Sequence, residues 1–267
     1  MNRLHLFELE DQPWFPNVLR DAGTAYLAFA SRVAGHGAAL APKLEATLAA
    51  AGETRIVDLC SGGAGPIAEI VASLADRSVD VSALLTDAYP NEGALSRVCA
   101  RSSGRIDWHR EPVDATRVPR ELAGVRTLFN ALHHFRPETA RRILADAAAS
   151  GRAIASFEVI GREPLALLGL LLAPLSVALS LPFLRPFRCS WLPLTYLVPI
   201  VPLFVLWDGI VSWLRIYSER ELQALVDALE PRHRDAYTWE IGRIRLAGPP
   251  IHASYLIGVP RAGQSPS

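Results

Sequence analysis

The stretch RIVDLCSGGAGPIAEIV, residues 55–71, constrains this chain more than any other. An apolar run breaks at Gly62, Gly63 and Gly65 and then resumes with helical spacing. That pattern reads as a strand entering a helix through a glycine-rich turn, and the same rhythm repeats. Strands are predicted at 55–60, 79–87, 105–110, 126–132 and 152–160, with helices at 65–75, 92–100 and 137–150 between them. Strands separated by helices imply parallel crossover units. The predicted fold class is therefore α/β, a doubly wound Rossmann-like sheet.

The rhythm fails at both ends. Residues 1–50 read as an N-terminal helical segment, with apolar residues at three-to-four spacing behind the Pro-bounded QPWFP knot. From Pro164 to Trp207 the only charged residues are Arg185 and Arg188. This run dominates a hydrophobic helical insertion, 161–217, after strand five. Order returns at Ser218 and Glu221, a capping box ahead of an amphipathic helix, and two further strands close the chain. The predicted organisation is thus 1–50, then a sheet domain formed by 51–160 with 218–260, and a cap over 161–217. The tail PRAGQSPS reads as disordered.

Composition excludes several classes. There are 27 basic and 27 acidic residues and no basic stripe, which argues against nucleic acid as partner. Cys60, Cys99 and Cys189 are odd in number and unsuited to a metal site, so free thiols in a reducing compartment and no metal are expected. The N-terminus carries acids and no apolar core of a secretory signal. The expected location is cytoplasmic, at most peripheral on the inner face of the membrane.

A glycine-rich turn after the first strand binds anions and nucleotides at the helix N-terminus. Here, however, Asp58 precedes the turn. Its carboxylate would repel a pyrophosphate and suits a cationic ligand. S-adenosylmethionine, with its ammonium and sulfonium and no phosphate, has that character. On these residues the chain resembles the class I S-adenosylmethionine-dependent methyltransferases, whose first motif is similar to D-x-G-x-G-x-G. Here it reads D-L-C-S-G-G-A, with Cys60 and Ala64 in place of two glycines. The segment WDGIVSWLRIY, 207–217, further resembles a late WDG-V-S-x-LR-Y pattern of bacterial methyltransferase-like proteins. The resemblance implies a cofactor site made of Asp58, Cys60, Ser61, Gly62 and Gly63 in the loop. Asp87, with Ala88 beside it, would accept the ribose hydroxyls. Asp114 and Ala115 would meet the adenine, and Asn130 and Ala131 would lie beside the methionine part.

His133 and His134 follow at the predicted end of strand four. Adjacent strand residues point to opposite faces, so one of the two is expected to reach the acceptor as general base. Glu158 reads as a satisfied buried acid or a base. Asp208 reads as a helix cap or a catalytic group reaching in from the insertion. The resulting expectation is methyl transfer to a small hydrophobic or lipid-like acceptor, under a cap that makes monotopic membrane contact or forms a homodimer. Pro174, Pro182, Pro193, Pro199 and Pro202 argue against clean membrane spans. The alternative is a non-catalytic, membrane-associated protein that keeps the nucleotide fold for binding.

Overall fold

A computed structural model describes residues 3–246 and 251–261. Two helices come first, α1 (Asn17–Val33) and α2 (His36–Ala51). The sheet domain then runs β1 (Arg55–Asp58), α3 (Ile67–Asp76), β2 (Ser82–Leu85), α4 (Glu92–Ala100), β3 (Ile106–Trp108), β4 (Val125–Phe129), α5 (Pro137–Ala149) and β5 (Ile154–Glu158). The cap contributes α6 (Pro164–Leu171), α7 (Ala173–Ser180) and α8 (Ile200–Arg215). Helices α9 (Glu219–Asp227) and α10 (Pro231–Asp235) precede β6 (Tyr237–Arg245) and β7 (His252–Pro260). The predicted tail from Arg261 on lies almost wholly outside the described residues.

The seven strands are ordered β3-β2-β1-β4-β5-β7-β6. Strands β1 to β5 are parallel, while β7 runs antiparallel between β5 and β6. Successive residues of a strand face opposite sides, so Ile56 and Val57 feed two different cores. Ile56, Leu85 and Phe157 pack under α2 and α3. Val57, Leu128 and Ile154 pack under α5 and α9. The strand order reverses between β1 and β4, and in open α/β sheets that switch point opens a ligand crevice beyond the carboxyl ends of the strands.

The predicted elements are present, with shorter strands. Helix α3 starts at Ile67 rather than Gly65, because Gly65 has φ +37° and Ala64 φ +73°, which are not helical values. Strand β4 stops at Phe129. Asn130 turns the backbone at φ +51°, and residues 132–134 form a single 3₁₀ turn. Ser218 and Glu221 form the expected capping box on α9.

One expectation is corrected. Residues 3–16 are not helical. They form a strap lying against α8, pinned by Leu4 N–H donating to Leu214 O and by the Arg215 guanidinium donating to Leu6 O. The prolines of the cap segment the apolar run into short helices. Pro164 and Pro174 sit in the first turns of α6 and α7, where the missing N–H costs nothing. The cap has its own core. Val177, Leu181, Trp191 and Phe204 pack with Phe15, Leu19 and Tyr26 of the strap and α1. Among the described residues no single helix is long and apolar enough to cross a membrane.

Candidate active site

The glycine loop folds as its sequence dictates, at a cost. Cys60 has φ +56° and Ala64 has φ +73°, left-handed conformations that favour glycine. These are the two positions where glycine is replaced, so the backbone keeps the glycine geometry at the cost of strain. Gly63 packs against α1, and a Cβ there would overlap the Thr24 methyl. Gly62, at φ +50°, faces open space. Its N–H donates to Asp87 Oδ2 at 2.8 Å, while Tyr89 N–H donates to Asp87 Oδ1 at 2.8 Å. Each oxygen keeps a free lone pair for a further donor. Ala88 is exposed beside it.

Asp58 is corrected. It is buried, and its oxygens accept from Thr127 Oγ1 and Ser61 Oγ, both at 2.7 Å. Burial pushes its pKa up to about 7, against the lowering effect of those two hydroxyls. It therefore ties the loop to β4 and does not present a carboxylate to a ligand. Ser61 serves the same lock. Burial also raises the Cys60 thiol, which keeps it an unreactive neutral group.

Asp114 is exposed and forms a turn with Thr116, whose N–H and hydroxyl both donate to Oδ1 at 2.8 Å. Ala115 is buried beneath it. Asn130 Oδ1 accepts from Val159 N–H at 2.8 Å, which joins the ends of β4 and β5 next to buried Ala131. Gly62, Asp87, Asp114 and Asn130 thus all lie beyond the carboxyl ends of the parallel strands. An open glycine, a half-buried acid and an exposed one, both with spare lone pairs, suit a cationic ligand rich in hydroxyl and amine donors. A separate cleft of about 470 Å³ lies on the α1, α3 and α4 side of the loop, bounded by Gly63 and Asn91. It does not include Asp87 or Asp114.

The histidines depart from expectation because they lie in a 3₁₀ turn and not in a strand. Their rings lie 4.3 Å apart, and both face the strap. His133 is buried, with Nδ1 2.7 Å from Glu158 Oε2, while its backbone N–H donates to Glu158 Oε1 at 3.1 Å. That bidentate hold fixes the ring and turns Nε2 toward Glu8 Oε1, 3.7 Å away. His134 Nδ1 lies 3.1 Å from Asp11 and 3.5 Å from Glu8. Burial alone would push the His134 imidazolium down. The Asp11 hydrogen bond and the charges of Glu8, Asp11 and Glu158 outweigh it and hold the pKa up at about 9. Asp11 in turn falls below the usual carboxylate range, its partial burial overcome by His134 and Arg215.

Glu8, His133 and His134 bring ligand atoms within 4.8 Å of one another, a donor set that a transition metal would accept. Glu8 is instead spoken for by Arg215, at 3.1 Å, and by Ser212, at 3.0 Å. Sequence reasoning missed Glu8, Asp11 and Arg215. Their partners lie more than a hundred residues away, and no local spacing signals them.

Asp208 is also corrected. It lies inside α8 and caps nothing there. Its oxygens accept from the N–H groups of Leu9 and Glu10 at 2.7 and 3.0 Å, so it anchors the strap and does not reach the reaction centre. Burial pushes it up to about 6, against those two amides.

No protein-family model matches the chain, and no curated protein is similar to it in sequence. Its fold is similar to solved methyltransferases. The plantazolicin methyltransferase BpumL, solved with S-adenosylhomocysteine, aligns over 95% of this chain and 93% of its own, with 10% identity and a TM-score of 0.55. LaPhzM aligns over 87% of this chain with 16% identity and a TM-score of 0.48, and the methyltransferase domain of bacterial CtHen1 over 83% with 10% identity and a TM-score of 0.49. The chain spans 57% of the length of LaPhzM. The likeness to BpumL shows that the two chains share a fold.

Proposed function

We propose that this chain, built on the class I methyltransferase fold, is an S-adenosylmethionine-dependent methyltransferase acting on a small hydrophobic or lipid-like acceptor. The reading is carried by one arrangement. Gly62 and Asp87 are hydrogen-bonded to each other across the carboxyl ends of β1 and β2, beside the β1–β4 switch point, and a buried, oriented histidine stands just past β4. Bound there, the cofactor would supply an electrophilic methyl group. Gly62 and Asp87 would hold its ribose, Asp114 and Ala115 its adenine, and Asn130 and Ala131 would flank its amino-acid end.

His133 is the group we assign as general base. Glu158 accepts from Nδ1–H and so leaves the Nε2 lone pair to take a proton, in the way a carboxylate fixes the tautomer of a catalytic imidazole. An acceptor hydroxyl hydrogen-bonded to Nε2 fits this arrangement. The present 3.7 Å gap to Glu8 leaves no space for that oxygen, because two hydrogen bonds in series need about 5–6 Å. Acceptor entry therefore requires the 3–16 strap to shift. The strap and α8 also exclude water, which methyl transfer needs more than it needs chemical assistance.

The apolar cap accounts for a hydrophobic acceptor and for work at the inner face of a membrane. Calorimetry with S-adenosylmethionine, followed by transfer of a labelled methyl group to lipid extracts and phenolic amphiphiles, tests the reading. Binding with transfer to an extractable product is expected. Absence of cofactor binding overturns it, and binding without transfer to any apolar acceptor leaves the non-catalytic alternative.

A further inference from the structure

The cap's outer surface is unusual for a folded chain. Leu168, Leu172, Leu175, Leu179 and Phe183 follow one another at spacings of four, three, four and four, which is a single helical stripe continued across the α6–α7 break. Each is more than half exposed. The opposite positions Ala166, Ala173, Val177 and Leu181 are buried. Residues 196–198, Tyr-Leu-Val, are exposed as well, and the Tyr196 hydroxyl ties them to Ala178 O of α7. On α8, Leu203 and half-exposed Trp207 extend the apolar surface, with the Phe7 ring 5.6 Å from Trp207. Exposed apolar surface this extended marks an interaction site.

Charge decides what meets it. No Asp or Glu occurs from Pro164 to Trp207. At the cap's edge the 470 Å³ cleft brings Arg185 and Arg188 together with Arg32, Arg97, Arg101 and Arg105, against three acids, Asp21, Glu69 and Asp76, so arginines outnumber carboxylates two to one. Arg188 pairs with Asp21 at 2.8 Å, whereas the Arg185 guanidinium donates to the carbonyls of Pro182 and Leu184 and meets no carboxylate among the described residues. A two-fold copy would bring the same arginines and no cap carboxylate to meet them. An anionic lipid surface offers both an apolar interior and negative headgroups.

We propose that the 164–207 cap is a monotopic membrane anchor, its leucine–phenylalanine stripe seated in the acyl region of one leaflet and its arginine-lined cleft at the anionic headgroups. Helices α6 and α7 have eight residues each and meet at a 49° bend. At 1.5 Å per residue each covers about 12 Å, far short of the ~30 Å hydrocarbon core but ample for shallow interfacial burial of ~5–10 Å. This deepens the membrane-peripheral reading above, yet it does not depend on methyl transfer, because docking is measured without turnover.

The test is flotation of the full chain with phosphatidylcholine vesicles, with and without about 30% phosphatidylglycerol. The protein is expected to float with the anionic vesicles and to be released by salt as surface charge is screened. Leu175→Asp with Leu179→Asp should abolish flotation, while S-adenosylmethionine affinity, if the wild type has it, and the circular dichroism spectrum stay unchanged. Arg185→Gln with Arg101→Gln should lower partition into anionic vesicles about 25-fold, roughly fivefold for each arginine, and leave neutral vesicles unaffected. A wild-type protein that stays with the unbound fraction overturns the proposal. So does flotation that survives both leucine changes, or a vesicle-independent dimer that those changes dissociate.

Discussion

His133 Nδ1 lies 2.7 Å from Glu158 Oε2, and the same carboxylate accepts the His133 backbone N–H at 3.1 Å. One residue at the end of β5 thus sets both the position and the tautomer of one residue just past β4. If His133 is the base, His133→Ala should lower turnover by about 10²–10⁴ with cofactor affinity near normal. Glu158→Gln should keep the fold and cost roughly tenfold or more, since an amide can present the wrong group to Nδ1. Full activity in both variants, measured as kcat on the same acceptor, would remove the pair from catalysis.

Asp87 is the acid whose loss should be felt in cofactor binding alone. Replacing it by Ala removes a charged acceptor worth ~1.5–3 kcal/mol. Affinity measured by calorimetry should fall at least about tenfold. Loss of the Gly62 N–H bond contributes to the same change, so Asp87→Asn should recover part of it.

The strap should loosen as pH rises. His134 is raised from its ordinary 6.5 to about 9 in the folded chain. A raised imidazole contributes stability that is complete below about 6.5 and is lost as pH climbs through about 9. Its side chain is 32% exposed, so water screens part of the effect. Thermal midpoints measured across that window should decline, and His134→Gln should flatten the decline. An unchanged slope would show that the strap is held by the hydrogen bonds of Asp208 and Arg215 instead.

Gly63 is a packing requirement. Gly63→Ala drives a methyl into the Thr24 side chain, whose branched Cβ gives it little freedom to turn away. A loss of about 1–3 kcal/mol is expected in denaturant unfolding. Thr24→Ser removes the clashing methyl, so the double variant should recover most of the loss. Failure to recover would place the cost in the loop backbone.

The sheet domain was readable because its information is local. Each strand carries its own apolar run, each helix its own spacing, and the Ser218–Glu221 box announces α9 within four residues. The loop acids were readable in order but not in role. Asp58 looks like a ligand group in the sequence and is a buried lock, because Ser61 and Thr127 reach it only once β1 and β4 are paired. Asp208 and the histidines were misread for a related reason. Their settings depend on Leu9, Glu10, Glu8 and Asp11, and the irregular strap that carries these has no periodicity to detect. Asn130 ended β4 early through a positive φ that its residue type tolerates but does not announce.

The strap has one more consequence, in the order of synthesis. Leu9 and Glu10 leave the ribosome well before Asp208, which receives their amides and follows 198 to 199 residues later. At about 5–20 residues per second, the strap waits some 10–40 s for its anchor. During that interval Phe7 and Phe15 have no Trp207 and Phe204 of α8 to meet. Nascent chains stalled before α8 should therefore recruit holding chaperones through residues 3–16, and chains released beyond Arg215 should not.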